Sequence, residues 1–288
     1  MSLIDSPLAL KSQLIRKGIA YASEVPRAFA RASASQADYL NGPPIIGNSI
    51  PKSGTHLLLQ IARAIPGTCY YGSFVSWARS WELVSHTQDQ MNKRIDRIVP
   101  NEVVPAHIRY SAGSAAKLQA INAIHLLIVR DPRDIALSEA EYLTHMNRWH
   151  RVHRYFKNVS DPGERIRMVI DGVPEAGDLF PDLGQRLRPF LGWLDDPNVT
   201  VVRYEDLRGA GLDNALESIA AAVAQHRPAD GATRSHLAAL MRDYIDPSRS
   251  HTFRSGRLER WRSELSTENK RRLEAVAADV IGRLGYEL

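Results

Sequence analysis

Four short apolar runs, each followed by a turn or a helical pattern, most constrain the fold of this chain. They are Pro44–Ile50, Glu102–His107, Ala123–Val129 and Val199–Tyr204. Strands that alternate with helices in this way are typical of a parallel sheet with helices on both faces. The third run, AIHLLIV, is apolar almost throughout, as expected of a strand that is buried on both faces. The sequence therefore predicts an α/β fold with a central parallel sheet.

The length of the chain, 288 residues, suits one large α/β domain. We expect an N-terminal helical segment, residues 1–40, followed by a single domain over residues 41–288. Within that domain, residues 139–197 are irregular and resemble an insertion rather than a second domain. The N-terminal segment reads as one or two helices broken near Pro26, and the apolar spacing after Ser266 predicts a final covering helix.

The composition is compatible with several classes of ligand and several locations. The net charge of +5 and the pI of about 9.4 fit an anionic ligand, a nucleic acid or an acidic membrane, and equally fit ordinary solubility. Because Cys69 is the single cysteine, no disulfide forms within the chain, as suits a reducing compartment. The first residues lack the unbroken apolar core of a signal peptide. We expect a cytoplasmic protein, either free or peripheral to the inner face of a membrane through the basic residues 1–40.

The segment Gly47–Gly67, GNSIPKSGTHLLLQIARAIPG, reads as a strand, a tight turn and a helix. In parallel sheets, ligands bind where strands end and helices begin. The N–H groups at the start of a helix attract anions, and Lys52 adds a positive charge. Ser53 and Thr55 add hydroxyl donors, while Gly54 permits close approach of the backbone. The segment is therefore a candidate anion site, with a plain turn and a surface lysine as the alternative.

The order of residues in this turn argues against a loop that binds a nucleoside triphosphate. Such a loop requires Gly-x-x-x-x-Gly-Lys-Ser/Thr, whereas here Pro51 precedes the lysine and the glycine follows it. An atypical P-loop kinase remains one alternative. A nucleotide- or nucleic-acid-binding protein without catalysis is another, although the chain has no nucleic-acid recognition motif.

A second candidate anion site follows the buried strand, in IVRDPRDIALSEAEYL at residues 128–143. Asp131 suits the cap of a helix and Pro132 its first position. Arg130 would then stand at the end of the strand, with Ser138 one to two turns into the helix. An arginine and a hydroxyl at one edge of a sheet suit a doubly charged phosphate. The alternative is a surface ion pair and a solvent-facing serine.

His107 ends the strand-like run between the two candidate anion sites, in NEVVPAHIRYS. It is therefore expected at the same edge of the sheet. Histidine titrates near neutral pH and suits a general base. Its position between the two sites favours that role over the core or surface position that a lone histidine usually has.

Taken together, these segments resemble the sulfotransferases that use 3′-phosphoadenosine 5′-phosphosulfate (PAPS). Pro-Lys-Ser-Gly-Thr resembles the 5′-phosphosulfate loop, and Arg-Asp-Pro-Arg-Asp with its later serine resembles the 3′-phosphate motif. HTFRSGRLERW resembles the C-terminal loop, VVRYEDL a segment near the adenine, and the stretch around His107 the segment that carries the base of cytosolic members. The resemblance runs in family order from about Ile45 to Trp261. It implies a P-loop-NTPase-like topology and sulfuryl transfer from PAPS to a hydroxyl or amine, without a metal.

The resemblance also implies roles for individual residues. His107 is the general base, and Lys52 stabilises the departing phosphate. The residues implied in binding PAPS, or its product 3′-phosphoadenosine 5′-phosphate (PAP), are Lys52, Ser53, Gly54, Thr55, His56, Arg130, Ser138, Tyr204, Arg254, Ser255 and Gly256.

Three departures from the family pattern leave alternatives open. Leu57 stands where cytosolic members often have a tryptophan against the adenine. Ser255 replaces a lysine, so that loop carries one charge fewer unless Arg257 supplies it. Several relatives that act on carbohydrates use a glutamate as the base, so Glu82 and Glu102 remain alternatives to His107.

The acceptor is expected to lie against residues 142–195, outside the donor motifs. HMNRWHRVHRYFK in this range mixes aromatic and basic residues that suit a sugar, a lipid-linked glycan or an anionic acceptor, or else form a solvated helix face. A sugar, a lipid, a phenol and a sterol-like alcohol all stay open. We expect a small-molecule acceptor, sugar or lipid-linked glycan as the partner and no nucleic acid.

Overall fold

A five-stranded parallel sheet forms the centre of the computed structural model, which describes residues 13–78, 85–227, 233–246, 248 and 257–288. The strand order is β2-β3-β1-β4-β5, and every neighbouring pair is parallel. The four predicted strands are present to within two residues at each end; β2, with two residues, is too short to be detected from sequence. The strands are β1 (Ile45–Ser49), β2 (Val75–Ser76), β3 (Val103–His107), β4 (Ile124–Val129) and β5 (Val199–Arg203).

Helices connect the strands and cover both faces of the sheet. A short π-helix lies at Tyr142–Met146, and short 3-10 helices lie at Pro174–Leu179 and Arg188–Asp195. The α-helices are α1 (Gln13–Ser33), α2 (Gln36–Asn41), α3 (Thr55–Arg63), α4 (Gln88–Ile95), α5 (Ala112–Ala120), α6 (Pro132–Glu141), α7 (His153–Phe156), α8 (Pro162–Asp171), α9 (Leu183–Leu187), α10 (Tyr204–Arg208), α11 (Leu212–His226), α12 (Arg234–Tyr244), α13 (Trp261–Glu264) and α14 (Thr267–Arg283).

Two hydrophobic clusters lie on opposite faces of the sheet. Successive side chains of a strand point to opposite faces, so Ile46 and Leu127 join the first cluster whereas Ile45 and Leu126 join the second. Helices α8 and α14 pack in the first cluster, and α3, α11 and α12 pack in the second. All six residues of β4 are buried, which confirms the prediction of a central strand covered on both faces.

The N-terminal segment differs from its prediction at Pro26. The helix α1 runs through Pro26 without a break, and the interruption falls at Ala34–Ser35. Ser35 caps α2 by accepting a hydrogen bond from the N–H of Asp38. A proline within a helix removes one backbone hydrogen bond, but the neighbouring Arg27 is buried and ion-paired to Glu102, which anchors the helix at this point. Among the described residues, no helix has the length and apolarity needed to cross a bilayer.

Residues 139–197 pack on the central sheet rather than apart from it. The side chains of Phe156, Val169, Phe180 and Trp193 all belong to the first cluster. The indole of Trp193 donates a hydrogen bond to the carbonyl of Ile108, directly after β3. This region therefore covers one face of the single α/β domain.

Candidate functional site

The turn after β1 has the backbone of an anion-binding loop. Lys52 and Gly54 have positive φ values of 71° and 111°. A Cβ at Gly54 would lie 2.6 Å from Cδ2 of Tyr204, so both conformation and space require glycine here. Gly54 is the N-cap of α3 and offers no side chain to the first N–H groups of the helix. Those donors, with the buried and unpartnered hydroxyl of Ser53, suit an anion.

Lys52 is held from two sides. Its ammonium nitrogen lies 3.7 Å from the centroid of the Tyr142 ring, within cation–π range. Its carbonyl accepts a hydrogen bond of 3.3 Å from Nη1 of Arg130. A hydrogen bond therefore joins Lys52 of the first candidate anion site to Arg130 of the second.

The second candidate site begins where β4 ends. Asp131 caps α6 through the N–H of Arg133, and Pro132 follows at the first helical position, as predicted. Arg130 is buried, with its guanidinium 4.4 Å from the centroid of the Tyr204 ring and 3.6 Å from a carboxylate oxygen of Asp134. Its Nε atom is buried without a hydrogen-bond partner. This arrangement leaves a positively charged group available to an anion in the cavity.

His107 ends β3 beside the anion loop. Its Nδ1 lies 2.8 Å from the carbonyl oxygen of Ser49, so Nδ1 carries the proton and Nε2 the lone pair. Burial and, to a lesser degree, the positive charge of Lys52 lower the pKa of His107 to about 4, against the opposing effect of the hydrogen bond to the Ser49 carbonyl. The Ser49 hydroxyl also contacts Nδ1, at 3.0 Å, and the hydroxyl of Thr55, at 2.8 Å. Ser49 thus links the histidine to the loop, a role that the sequence analysis did not identify.

One cavity of about 430 Å³ connects these groups. Of the predicted site residues within the described part of the chain, all but the buried Ser53 line it. Those residues are Lys52, Gly54, Thr55, His56, His107, Arg130, Ser138 and Tyr204. Arg254, Ser255 and Gly256 lie outside the described residues.

The two alternative bases differ in position. Glu82 lies outside the described residues. Glu102 precedes β3, at the opposite end of the strand from His107, and is fully buried. Its carboxylate is ion-paired to Arg27 and accepts hydrogen bonds from the Ser73 hydroxyl and the N–H of Val99. Glu102 does not line the cavity, and its contacts stabilise the fold. Its position therefore does not favour a role as the base.

The remaining wall of the cavity is largely aromatic and aliphatic. One part comes from the range 142–195 that is expected to wall the acceptor, through Tyr142, Leu143, His150, Leu179, Phe180, Arg186 and Leu187. Glu139 forms an ion pair of 2.9 Å with Arg186 at this wall. A second part, which the sequence analysis missed because no polar motif marks it, comes from Tyr70, Phe74, Ser76, Trp77 and Ala78.

The basic and aromatic stretch at 145–157 largely does not contribute to this wall. Only His150 of this stretch lines the cavity. Trp149 is 79% exposed, whereas Phe156 is fully buried in the first cluster. The alternative interpretation, exposed charges with a core aromatic residue, therefore describes most of this stretch. Among the described residues, no group of three or more His, Cys, Asp or Glu side chains is placed to hold a metal ion.

Comparison with known proteins identifies a matching family and solved structures with a similar fold. Residues 43–220 match the family described as "Sulfotransferase domain". The fold is similar to that of mouse sulfotransferase SULT7A1 complexed with PAP (TM-score 0.57, 17% identity, 85% of each chain covered). It is also similar to retinol dehydratase in complex with androsterone and inactive cofactor PAP (TM-score 0.53, 15% identity, 85% of this chain and 82% of that chain covered). No curated relative matches at a significant level.

Proposed function

Because this chain belongs to the sulfotransferase family, matched over residues 43–220, we propose that it transfers a sulfuryl group from PAPS to a hydroxyl or amine of a small acceptor. The family makes it a transferase. The observation that carries the proposal is the single cavity that joins the anion loop, the Arg130 site and His107. Two separate anion sites suit a nucleotide that is charged at both its 3′ and 5′ positions.

In the proposed reaction, the acceptor oxygen attacks the sulfur in line with the bond to the 5′-phosphate. Nε2 of His107 takes the proton of the acceptor, the new S–O bond forms, and the bond from sulfur to the phosphate oxygen breaks. Lys52 and the N–H groups at the start of α3 stabilise the negative charge that PAP gains. Catalysis is then mainly positioning and electrostatics.

The proposed donor site extends from the loop at 52–56 to Arg130 and Ser138. Arg130 supplies the guanidinium for the 3′-phosphate and Ser138 a hydroxyl. We also assign Arg254, Ser255 and Gly256 to this phosphate, on the resemblance of their segment alone.

The proposed acceptor has an apolar or aromatic body. The walls around Phe74, Trp77, Tyr142 and Leu179 offer large apolar surfaces, which favour a lipid, a phenol or a sterol-like alcohol. A sugar or a lipid-linked glycan fits where a sugar face stacks on these rings. The ion pair between Glu139 and Arg186 supplies polarity at one position of the wall.

Ligand-induced stabilisation tests the donor class. PAP should raise the melting temperature, whereas ATP with Mg²⁺ and a short oligonucleotide should not. Equal stabilisation by ATP would favour an atypical kinase, and stabilisation by the oligonucleotide a nucleic-acid-binding protein. Transfer of radioactive sulfate from labelled PAPS to a panel of phenols, sterols, sugars and glycolipids would then identify the acceptor.

We further propose that α1 contacts an anionic membrane surface from the cytoplasmic side. Tyr21, Val25 and Phe29 recur every four residues along its outer face and are 84%, 61% and 73% exposed. An apolar helical face on a basic chain suits an interfacial helix. The protein should sediment with vesicles that contain phosphatidylserine and not with neutral ones. Replacing the three residues with serine should abolish sedimentation; unchanged sedimentation would contradict the assignment.

A further inference from the structure

Two hydroxyl groups connect the start of α3 to the imidazole of His107 through hydrogen bonds. The parallel register of β1 and β3 brings Ser49 and His107, the last residues of these strands, side by side. The Ser49 hydroxyl lies 2.8 Å from that of Thr55, the first residue of α3, and 3.0 Å from Nδ1 of His107. Ser49 is fully buried, whereas Thr55 and His107 line the cavity.

The direction of these hydrogen bonds follows from the number of protons. The Ser49 hydroxyl carries one proton, and the carbonyl of Ala106, 3.1 Å away, can only accept it. Because Ser49 donates to that carbonyl, its hydroxyl oxygen must accept from its other two neighbours. Thr55 therefore donates its proton to Ser49. The Nδ1–H group of His107 is shared between the carbonyl oxygen and the hydroxyl oxygen of Ser49.

An anion at the start of α3 changes this arrangement. Its charged oxygens accept hydrogen bonds and carry no proton, so they compete with Ser49 for the hydroxyl proton of Thr55. When Thr55 donates to the anion, the hydroxyl oxygen of Ser49 loses its incoming hydrogen bond from Thr55. The lone pairs of that oxygen are then left to the Nδ1–H group of His107, and this hydrogen bond becomes stronger.

We propose that Ser49 is a positioning residue that couples the occupancy of the donor site to the hydrogen bonding of the His107 imidazole. This inference rests on the proposed function, in which PAPS supplies the anion and Nε2 of His107 takes the proton of the acceptor. The imidazolium is a better hydrogen-bond donor than the neutral ring, so a stronger bond from Nδ1–H favours the charged form. Nε2 is therefore a stronger base while the donor is bound.

The coupling matters because His107 is a weak base in the empty cavity. Burial and the positive charge of Lys52 hold its pKa at about 4. Among the described residues, Lys52 is the charged group whose field acts on this imidazole. A general base is most effective when its pKa lies near the operating pH. A rise in pKa that requires the bound donor confines proton removal to the complex in which the sulfur can be attacked.

Titration of His107 by NMR tests this role without an acceptor. The ring signals of His107 are identified by their absence from the spectrum of His107→Gln. Saturating PAP should raise the pKa of His107 in the wild type. The rise should be smaller in Ser49→Ala, where only the negative charge of PAP acts, and should be restored in Ser49→Thr, which keeps the hydroxyl. Ser114→Ala, at a buried serine of α5 that does not line the cavity, is the matched control.

The affinity for PAP, measured by isothermal titration calorimetry at neutral pH, separates this coupling from support of the loop. If Ser49 only supported the anion loop, Ser49→Ala would weaken PAP binding. The coupling predicts otherwise, because Thr55 then has no hydrogen bond to Ser49 to give up when it donates to the anion. Ser49→Ala should bind PAP as the wild type does or up to about 10-fold more tightly, the value of one hydrogen bond.

A double variant tests whether the two hydroxyl groups act as one unit. Thr55→Ala leaves the Ser49 oxygen without its incoming hydrogen bond both with and without PAP. It should therefore also reduce the rise in the pKa of His107 at saturating PAP. Adding Ser49→Ala to this variant should change the rise little further, whereas two independent contacts would give additive effects.

Three results would overturn the assignment of Ser49: an unchanged rise in the pKa of His107 in Ser49→Ala, weaker PAP binding by that variant, or additive effects in the double variant. Where Ser49→Ala does not fold, Ser49→Cys, which has a weak hydrogen-bonding group of similar size, provides the same comparison. Failure of the wild type to bind PAP would instead overturn the proposed function, and the coupling with it. Normal PAP binding by the wild type together with any of the three results would overturn only the role of Ser49.

Discussion

At the residue scale, Lys52 is the most constrained group in the site. Its backbone lies in the left-handed region, its carbonyl is bonded to Arg130, and its ammonium lies over Tyr142. A left-handed backbone is unfavourable for a residue with a side chain. The surrounding contacts hold it there, so the charge is placed before any ligand arrives.

Removal of that charge should affect transfer more than donor binding. We expect Lys52→Ala to lower kcat about 100- to 1000-fold, the range for loss of one preorganised charge-stabilising donor, with a smaller change in the affinity for PAP. Lys93→Ala, at a side chain that is 71% exposed in α4, is the control and should keep full activity. If kcat and the affinity for PAP fell by the same factor, Lys52 would contribute equally to binding the donor and to stabilising the transition state, which would contradict the prediction.

The pH dependence of transfer should report His107. Burial lowers its pKa to about 4, so the free enzyme keeps a neutral base down to that pH and kcat/KM should fall only as pH approaches 4. Bound phosphosulfate adds negative charge beside the imidazole and raises its pKa, so the acidic limb of kcat should lie at higher pH. His107→Ala should lose the acidic limbs of both the kcat/KM and the kcat profiles. It should also lose most of its turnover while it still binds PAP. Near wild-type turnover would remove His107 as the base.

At the element scale, a buried ion pair joins α1 to the start of β3. Arg27 lies 3.0 Å from the carboxylate of Glu102, and both side chains are buried. Loss of one partner leaves a buried charge unpaired, so Arg27→Met should lower the free energy of unfolding by about 3–5 kcal/mol in urea titrations. Arg27→Met with Glu102→Gln should recover part of the loss. Lys93→Ala, which breaks an exposed pair with Asp89, should leave the free energy of unfolding almost unchanged.

The elements with strong local signals were those that the sequence predicted best. Apolar runs bounded by turns located β1, β3, β4 and β5, and the Asp-Pro pair located the start of α6. The two-residue β2 and the aromatic wall at 70–78 carry no periodicity, because they are positioned by the rest of the fold. The continuity of α1 through Pro26 has no local signal, and the contact that anchors the helix there joins Arg27 to Glu102, 75 residues away in sequence.

At the scale of the whole molecule, the free energy of unfolding should decrease as the pH falls, because a histidine is buried in its neutral form. His125 in β4 packs on Trp193 at 4.5 Å between ring centroids, and burial lowers its pKa to about 4. As pH falls from 6.5 toward 4, the unfolded chain binds a proton that the folded chain does not. That difference removes about 3 kcal/mol of stability by pH 4.

Replacement of this histidine should therefore weaken the dependence of the free energy of unfolding on pH in the acidic range. His125→Leu should show a smaller decrease in the free energy of unfolding between pH 6.5 and pH 4 than the wild type, measured by urea titration at each pH. His236→Leu, at an exposed histidine of α12, should leave the slope unchanged. Equal slopes in His125→Leu and the wild type would show that other groups govern the acid response.

The contact between Lys52 and Tyr142 also couples the two substrates. The lysine belongs to the proposed donor site, whereas the tyrosine ring lines the aromatic wall of the cavity, which we propose for the acceptor. A donor that draws the ammonium toward its own oxygens uncovers that ring, so each substrate alters the affinity of the other by the same factor. We therefore expect a preferred order of addition, in which PAPS enters first and completes the surface that the acceptor meets.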